Sequence, residues 1–105
     1  MSKCLILYSV ALFRKTPRLW EVNPAGETDY PGYHRVPAVF DADGSMRMLH
    51  ATEFPECVGE GEWWIEAAAV LDNAGRVMAV QPLVPANVHL VRGARVNTPP
   101  ICPIA

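Results

Sequence analysis

The chain has 105 residues, a formal net charge of −2 and a hydrophobic fraction of 50%. This length supports one domain with its own core and excludes a multi-domain enzyme. The near-neutral charge argues against nucleic acid as a main partner, and the hydrophobic fraction excludes disorder by composition. Ten prolines and seven glycines lie between short apolar runs, which predicts strands joined by turns rather than long helices.

The first predicted strand spans residues 3–13 and is apolar on both faces. Tyr8 and Ser9 interrupt the run and no small-residue cleavage site follows it, so we interpret it as a buried strand rather than a signal sequence. Such a strand lies between two layers of its own domain, or a neighbouring subunit covers its second face. No stretch of the sequence reaches the roughly 18 to 20 apolar residues of a membrane-spanning helix, so we expect no membrane span.

The next segment, residues 14–32, is rich in proline and glycine and predicts a long loop with one brief strand at 19–22. Loops of this length are usually functional or interfacial. The segment carries bases and an indole that we take as candidate interface residues: Arg14, Lys15, Arg18 and Trp20.

A hairpin is predicted after this loop. Residues 33–40 form its first strand, with an inward face marked by Val36, Ala38 and Phe40. Pro37 cannot donate to a ladder, so this strand should lie at an edge or carry a bulge. The Asp-Gly turn at 41–44 then leads into a returning strand over 46–54.

The run at residues 63–71 is the one place where helix and strand compete, because its three alanines favour a helix. Its short length, its aromatic start and the turn at 72–75 favour a strand hairpin with 76–82. Two further short strands are predicted at 87–91 and 95–97.

Six or seven short strands with turns at this spacing predict an all-β fold, a small antiparallel β-sandwich or partly open barrel. We assign residues 1–97 to the β-sandwich domain and residues 98–105 to a proline-rich, extended C-terminal arm. The arm supplies further candidate interface residues: Pro99, Pro100, Ile101 and Cys102.

An acidic run without internal bases consists of Glu53, Glu56, Glu60, Glu62 and Glu66. Paired carboxylates can perform hydrolysis or bind calcium, but this spacing matches no calcium loop, and a solvated acidic face is the favoured interpretation. The basic counterpart is Lys3, Arg14, Lys15 and Arg18. The two groups could pair head to tail between copies of the chain, in which case high salt should loosen the assembly.

The sequence gives no positive support for catalysis, a cofactor or a metal site. His34, His50 and His89 lie on separate predicted strands without ligand spacing, and no nucleophile motif or phosphate-binding loop occurs. The cysteines form no CxxC pair, so we expect free thiols at Cys4, Cys57 and Cys102. The alternative is an intermolecular disulfide, for which Cys102 is the best candidate.

Trp63 and Trp64 are adjacent, so in a strand their side chains point to opposite faces. One indole can anchor the core, whereas the other is solvent-exposed, covered by a loop or buried in a partner. An exposed indole favours an interface anchor or a ligand platform, for instance one that stacks on a sugar ring. We therefore count both residues among the candidate interface residues.

The order of these elements resembles a family of small bacteriophage tail-fibre-like or virion-associated proteins. The positions that carry the resemblance run from Tyr8 to about Val96: Ala11-Leu12-Phe13, Gly26, Gly32-Tyr33-His34-Arg35, Phe40, Thr52-Glu53-Phe54-Pro55, Trp64-Ile65, Ala69-Val70-Leu71-Asp72, Gly75, Met78-Ala79, Leu83, Val88 and Gly93. The resemblance implies a β-sandwich subunit of the virion without enzymatic activity. The chain departs from the family in its doubled tryptophan and in the proline-rich tail that replaces a last long strand.

From these observations we expect a non-enzymatic structural protein of a bacteriophage virion, associated with the tail or tail fibre. Its partners would be other virion proteins and copies of itself, with no nucleic acid. A capsid decoration protein is one alternative. A module that recognises a host surface receptor or glycan is another, and a hydrolase that uses the glutamate run is a third.

Overall fold

A computed structural model of the chain describes residues 8–38, 52–83 and 88–98, where all regular secondary structure is β. Eight strands lie in these ranges: β1 Ser9–Phe13, β2 Val36–Pro37, β3 Thr52–Glu53, β4 Trp63–Ile65, β5 Ala67–Leu71, β6 Val77–Pro82, β7 Val88–Leu90 and β8 Asn97–Thr98. The predicted all-β class is therefore confirmed. The same ranges contain no helix with the length and apolarity to span a membrane.

The strands form a four-stranded sheet with the order β2-β1-β5-β6 and two ribbons, β3–β8 and β4–β7. Every pairing is antiparallel. The main core cluster combines residues of the sheet, such as Leu12 and Val70, with residues of the ribbons, such as Ile65 and Leu90. One face of the sheet therefore shares its core with the β4–β7 ribbon and with Phe54 and Val96, which adjoin β3 and β8, rather than with a second continuous sheet.

The central strand β1 is buried on both faces, as its sequence pattern predicts. Val10 and Leu12 belong to the main core cluster, while Ala11 and Phe13 belong to a second cluster on the opposite face. All four residues are 0% exposed in the single chain. Of the two alternatives for this strand, burial within its own domain therefore holds for these residues, and no surface remains there for a neighbouring subunit to cover.

Strand β2 lies at the edge of the sheet, where Pro37 was expected. It pairs with β1 through Val10 opposite Val36 and Ser9 opposite Pro37. An edge position suits proline because the strand needs no donor on its outer side. Ala38 continues the pairing by donating its N–H to the carbonyl of Tyr8 at 3.1 Å.

The run at residues 63–71 is extended, so the helical alternative is wrong, but it forms two strands instead of one. β4 pairs with β7, whereas β5 lies between β1 and β6. Glu66 separates them, although its N–H still donates to the carbonyl of Phe13 at 2.8 Å. This division accounts for a strand number above the predicted six or seven.

The predicted hairpin between β5 and β6 is confirmed. Its turn is closed by hydrogen bonds from the N–H groups of Ala74 and Arg76 to Oδ1 of Asp72, both at 2.9 Å. Gly75 adopts a φ of +84°, in the left-handed region that residues with a Cβ atom disfavour. The aspartate side chain and the glycine together explain why the chain reverses here.

The C-terminal strands lie close to their predicted positions. β7 falls within residues 87–91, whereas β8 is Asn97–Thr98, shifted from the predicted 95–97 because its register is set by pairing with β3. Thr98, assigned above to the arm, is a buried residue of this strand. Residues 3–7, the hairpin turn at 41–44 and its returning strand up to 51, and the arm from 99 onward lie outside the described residues.

Candidate functional site

The predicted long loop is fixed to the sheet by backbone hydrogen bonds at its middle and at its C-terminal end. We call residues 14–28 the basic loop, after the bases that it carries. The bond from Arg14 N to Gly26 O at 2.7 Å closes the loop on itself. The backbone bonds of the loop to the sheet and to the β5–β6 turn are Thr28 N to Leu12 O at 2.9 Å, Trp20 N to Val77 O at 2.8 Å, Val77 N to Glu21 O at 2.8 Å and Asn23 N to Gly75 O at 2.9 Å. The loop is therefore an ordered surface, and what it presents is set by the fold.

A third attachment joins the basic loop to the junction of β4 and β5. The N–H of Thr16 donates to Oε2 of Glu66 at 2.8 Å, and the Thr16 hydroxyl donates to the same oxygen. These two hydrogen bonds, with a smaller contribution from the charge of Lys15, hold the pKa of the Glu66 carboxyl below its usual value. A residue of the acidic run thus meets the basic loop inside one chain.

Trp20 stands out within the basic loop. Its φ is +70° and its side chain is 56% exposed. A left-handed conformation costs a bulky residue about 1–3 kcal/mol, and such strain is concentrated at functional positions. The hydrogen bond of Trp20 N to Val77 O holds this conformation in place. The indole is consequently presented outward by the backbone.

Two adjoining concavities lie along this part of the basic loop. The first, of about 370 Å³, is lined by Arg18, Leu19, Trp20 and Glu21. The second, of about 230 Å³, is lined by Lys15, Thr16, Pro17, Arg18, Glu21 and Ala25. Arg18 and Glu21 border both. Glu21 is oriented by the loop itself, because its Oε1 accepts a hydrogen bond from the N–H of Arg18 at 3.1 Å.

The bases of the loop differ from the other arginines that the structure describes. Outside the loop, each described arginine has a carboxylate partner: Arg35 with Glu27, Arg76 with Asp72, Arg92 with Glu60, and Arg95 with Glu53 and Glu56. Within the described ranges, Arg14, Lys15 and Arg18 form no such ion pair. Lys3, the remaining member of the predicted basic group, lies outside those ranges.

A second exposed aromatic surface lies on the outer side of the β4–β7 ribbon. The indole of Trp64 stacks on the imidazole of His89, with ring centroids 4.2 Å apart and planes 8° apart. Trp64 remains 51% exposed, while Trp63 points the other way and packs against the main core cluster. The prediction that the two indoles face opposite sides is confirmed, and Trp64 is the one available to a partner. Glu62 completes this surface, with its Oε1 2.7 Å from Nε2 of His89.

The acidic run is exposed, as predicted, but it is not an unpaired acidic face. Glu53 and Glu56 lie 3.2 Å and 3.6 Å from Arg95, and Glu60 lies 2.7 Å from Arg92. These partners follow β7, more than 30 residues later in the chain. Two arginines therefore offset part of the charge of the five glutamates within their own chain, which weakens the case for head-to-tail pairing with the basic loop of another copy.

A partly buried polar network, which the sequence pattern did not reveal, fixes the end of the basic loop. The Tyr33 hydroxyl donates to Oε2 of Glu27 and accepts from the N–H of Leu12 at 3.2 Å. Arg35 donates to both oxygens of Glu27, at 2.9 Å and 2.8 Å. Alternation from the inward-facing Val36 predicts an outward-facing Tyr33 in the strand over 33–40. Instead, Tyr33 ends a turn in which its N–H donates to the carbonyl of Tyr30, so the period of a strand does not apply to it.

The network shifts the pKa values of its members. Burial alone would raise the pKa of Glu27, but the hydrogen bonds from Arg35 and Tyr33 outweigh it and hold that pKa below its usual value. Burial, together with the hydrogen bond to Glu27, raises the pKa of Tyr33. Both shifts favour an ionised Glu27 and a neutral Tyr33 at neutral pH. The network is therefore a structural clamp that holds Glu27, at the end of the basic loop, against Tyr33, Arg35 and β1.

The described residues contain no group of three or more His, Cys, Asp or Glu side chains that could hold a metal ion. His34 and His89 lie apart, each with its own polar contact. Cys57 is a buried free thiol with its Sγ 3.7 Å from the carbonyl of Gly59. Predictions on His50, Cys4, Cys102 and the rest of the arm, Pro99, Pro100 and Ile101, lie outside the described residues.

Comparison with known proteins gives no family assignment: no family model, no curated protein and no solved structure matches the chain.

Proposed function

We propose that this protein is a non-enzymatic structural subunit of a bacteriophage virion, associated with the tail or tail fibre. The observation that carries the proposal is the exposure of two indoles, Trp20 and Trp64, on a small all-β domain. Tryptophan and arginine are enriched among the residues that dominate binding at protein interfaces. The order of elements that resembles small virion-associated proteins supports the viral setting.

The proposed mechanism is burial of these surfaces against other virion proteins and against copies of the chain. Burial of apolar area contributes about 25 cal/mol per Å², from which the cost of ordering must be subtracted. Two separate surfaces allow one subunit to contact two neighbours. In a symmetric assembly, many such contacts become effective together through avidity.

Purified virions of the phage that encodes the chain provide the direct test. We expect the protein to remain with particles through a density gradient, at a constant ratio to the major capsid protein, when quantified by mass spectrometry. Gold labelling of a tagged copy should then mark the tail, whereas labelling of the head would favour the capsid decoration alternative. Recovery only from the soluble fraction of infected cells would refute the proposal.

A recognition module for a host glycan is the second candidate, and the Trp64 surface favours it. A flat, exposed indole offers a stacking face for a sugar ring, and Glu62 places a carboxylate acceptor beside it. A glycan array probed with the wild-type protein and with Trp64→Ala tests this function. Val91→Ala is the control, because Val91 is also an exposed apolar residue and directly follows β7. Selective loss of glycan signal in Trp64→Ala, with unchanged particle assembly, would support recognition over a scaffold role.

A further inference from the structure

The basic loop combines three features that a bare solvated loop does not need. It holds Trp20 outward in a left-handed conformation, it carries bases without ion-pair partners in the described part of the chain, and it borders two concavities. Backbone hydrogen bonds fix its middle and its C-terminal end to the sheet and to the β5–β6 turn. A preorganised surface of this kind loses little conformational entropy on binding.

We infer that the basic loop is a docking site for an acidic segment of a partner protein, in which carboxylates alternate with apolar side chains. The inference deepens the proposed function and rests on it for the existence of a protein partner. Arg14 and Arg18 would pair with the carboxylates of the segment. Trp20 and the neighbouring Val22, which is 59% exposed, would receive its apolar side chains.

The charge pattern of the surface favours an acidic protein segment over a uniform polyanion. Glu21 borders both concavities, and Glu66 is held beside Thr16 at the edge of the second. A nucleic acid or a fully charged polysaccharide would bring anions close to these carboxylates as well as to the bases. A segment that alternates acidic and apolar residues can place its carboxylates on the bases and its apolar groups elsewhere.

A second copy of this chain is a poor candidate for the partner. Four of the five glutamates of its acidic run already lie beside Arg92, Arg95 or His89 of their own chain, and the fifth, Glu66, accepts hydrogen bonds from Thr16. Those ion pairs would have to break before the run could bind a neighbouring basic loop. The bases of the loop therefore fit a different protein better than they fit another copy.

Fluorescence anisotropy with purified protein and short labelled peptides tests the inference without virions, so its result is independent of the particle test above. The main probe is a peptide in which Asp and Glu alternate with Leu. The comparison probes are the same peptide with Gln for every acid, poly-glutamate of equal length and a hyaluronan oligosaccharide. We expect the first peptide to bind at least about tenfold more tightly than each of the others, and to weaken as salt is added.

Matched variants locate the binding to the loop. Arg18→Gln and Trp20→Ala should each weaken the Asp/Glu/Leu peptide by about tenfold, since charged and aromatic anchors carry most interface energy. Arg92→Gln is the control, because it removes the same charge from another exposed position. Circular dichroism and thermal melting confirm that each variant folds.

The inference is overturned by any of three results: no binding of the Asp/Glu/Leu peptide, equal or tighter binding of poly-glutamate or hyaluronan, or an equal loss of affinity in Arg92→Gln and Arg18→Gln. The second result would indicate a polyanion site instead. If the peptide binds as expected and the protein is absent from virions, the docking site stands and the viral role fails.

Discussion

Glu27 is the residue at which the basic loop returns to the sheet. It accepts hydrogen bonds from Tyr33 and from two nitrogens of Arg35, so its carboxylate ties the loop to the segment before β2. Tyr33 extends the connection to β1, because its hydroxyl also accepts from the N–H of Leu12. The network therefore fixes the C-terminal end of the basic loop to β1 and to the segment before β2.

Tyr33→Phe tests the contribution of this hydroxyl to stability. The variant keeps the aromatic ring but leaves the N–H of Leu12 without its acceptor and Glu27 without one donor. We expect a loss of about 1–3 kcal/mol in the free energy of unfolding, measured by urea denaturation. Tyr30→Phe is the comparison, since its hydroxyl donates a single bond to the carbonyl of Pro55 and its loss should cost less. Equal stability of Tyr33→Phe and wild type would contradict the clamp.

The lowered pKa of Glu27 predicts a specific dependence of stability on pH. A carboxyl whose pKa is lower in the folded than in the unfolded state stabilises the fold above its unfolded pKa, near 4.5, and loses that effect as pH falls through the folded pKa. Glu27→Gln should therefore be less stable than wild type at neutral pH, with a difference that shrinks on acidification below about pH 4.5. Thermal melts of both proteins across pH provide the measurement. A difference that stays constant or grows on acidification would exclude this role of Glu27.

At the scale of elements, local chemistry predicted the turns, while long-range pairing decided where strands begin and end. The aspartate and the glycine of the 72–75 turn lie within a few residues, so the β5–β6 hairpin was predictable. The break at Glu66 was not, because the apolar run continues through it and the two halves pair with different partners, β7 and β1.

In the candidate site, too, some features are predictable from local sequence and others depend on long-range pairing. The bases, the loop and the opposed tryptophans follow from residue type and strand alternation. The left-handed Trp20 could not be expected, because steric preference disfavours this conformation for a bulky side chain. The ion pairs of the acidic run were also hidden, because Arg92 and Arg95 approach it only when β7 and β8 are placed.

Gly75 and Gly93 have similar backbone conformations but different surroundings. Comparing alanine variants of the two therefore distinguishes the cost of backbone strain from the cost of a steric contact in the β5–β6 turn. Gly75 has a φ of +84°, and a Cβ there would lie 2.2 Å from Oδ1 of Asn23. Gly93 has a φ of +88°, and a Cβ there would meet nothing within 4 Å. Gly93→Ala should cost about 1–2 kcal/mol through its backbone alone, and Gly75→Ala should cost more.

The second measurement for this pair is limited proteolysis. Gly75→Ala must move the end of the Asn23 side chain, and we expect this movement to weaken the bond from Asn23 N to Gly75 O and to speed trypsin cleavage after Arg18, whereas Gly93→Ala should leave the rate close to that of wild type. Similar stability and similar cleavage rates in the two variants would show that the contact between the turn and Asn23 does not fix the loop.

For the molecule as a whole, the distribution of charge matters more than its net value of −2. Three glutamates of the acidic run pair with arginines that follow β7. In the described ranges, the side chains of the bases in the basic loop form no ion pair with a carboxylate. Glu21 accepts only a backbone N–H, and Lys15 contributes a small part of the lowered pKa of Glu66. Contacts between identical copies should therefore depend on apolar burial at Trp64 rather than on attraction between opposite charges.

This distribution leads to a prediction on self-association that reverses the expectation from sequence. Burial of the exposed half of one indole contributes up to about 3 kcal/mol per contact at roughly 25 cal/mol per Å². Apolar burial is not screened by salt, whereas exposed ion pairs are. Sedimentation velocity of the wild-type chain should show association that persists at about 1 M NaCl, where the Debye length falls to about 3 Å, and that Trp64→Ala abolishes. Dissociation by salt with no effect of Trp64→Ala would instead restore pairing between the acidic run and the basic loop as the force that joins copies.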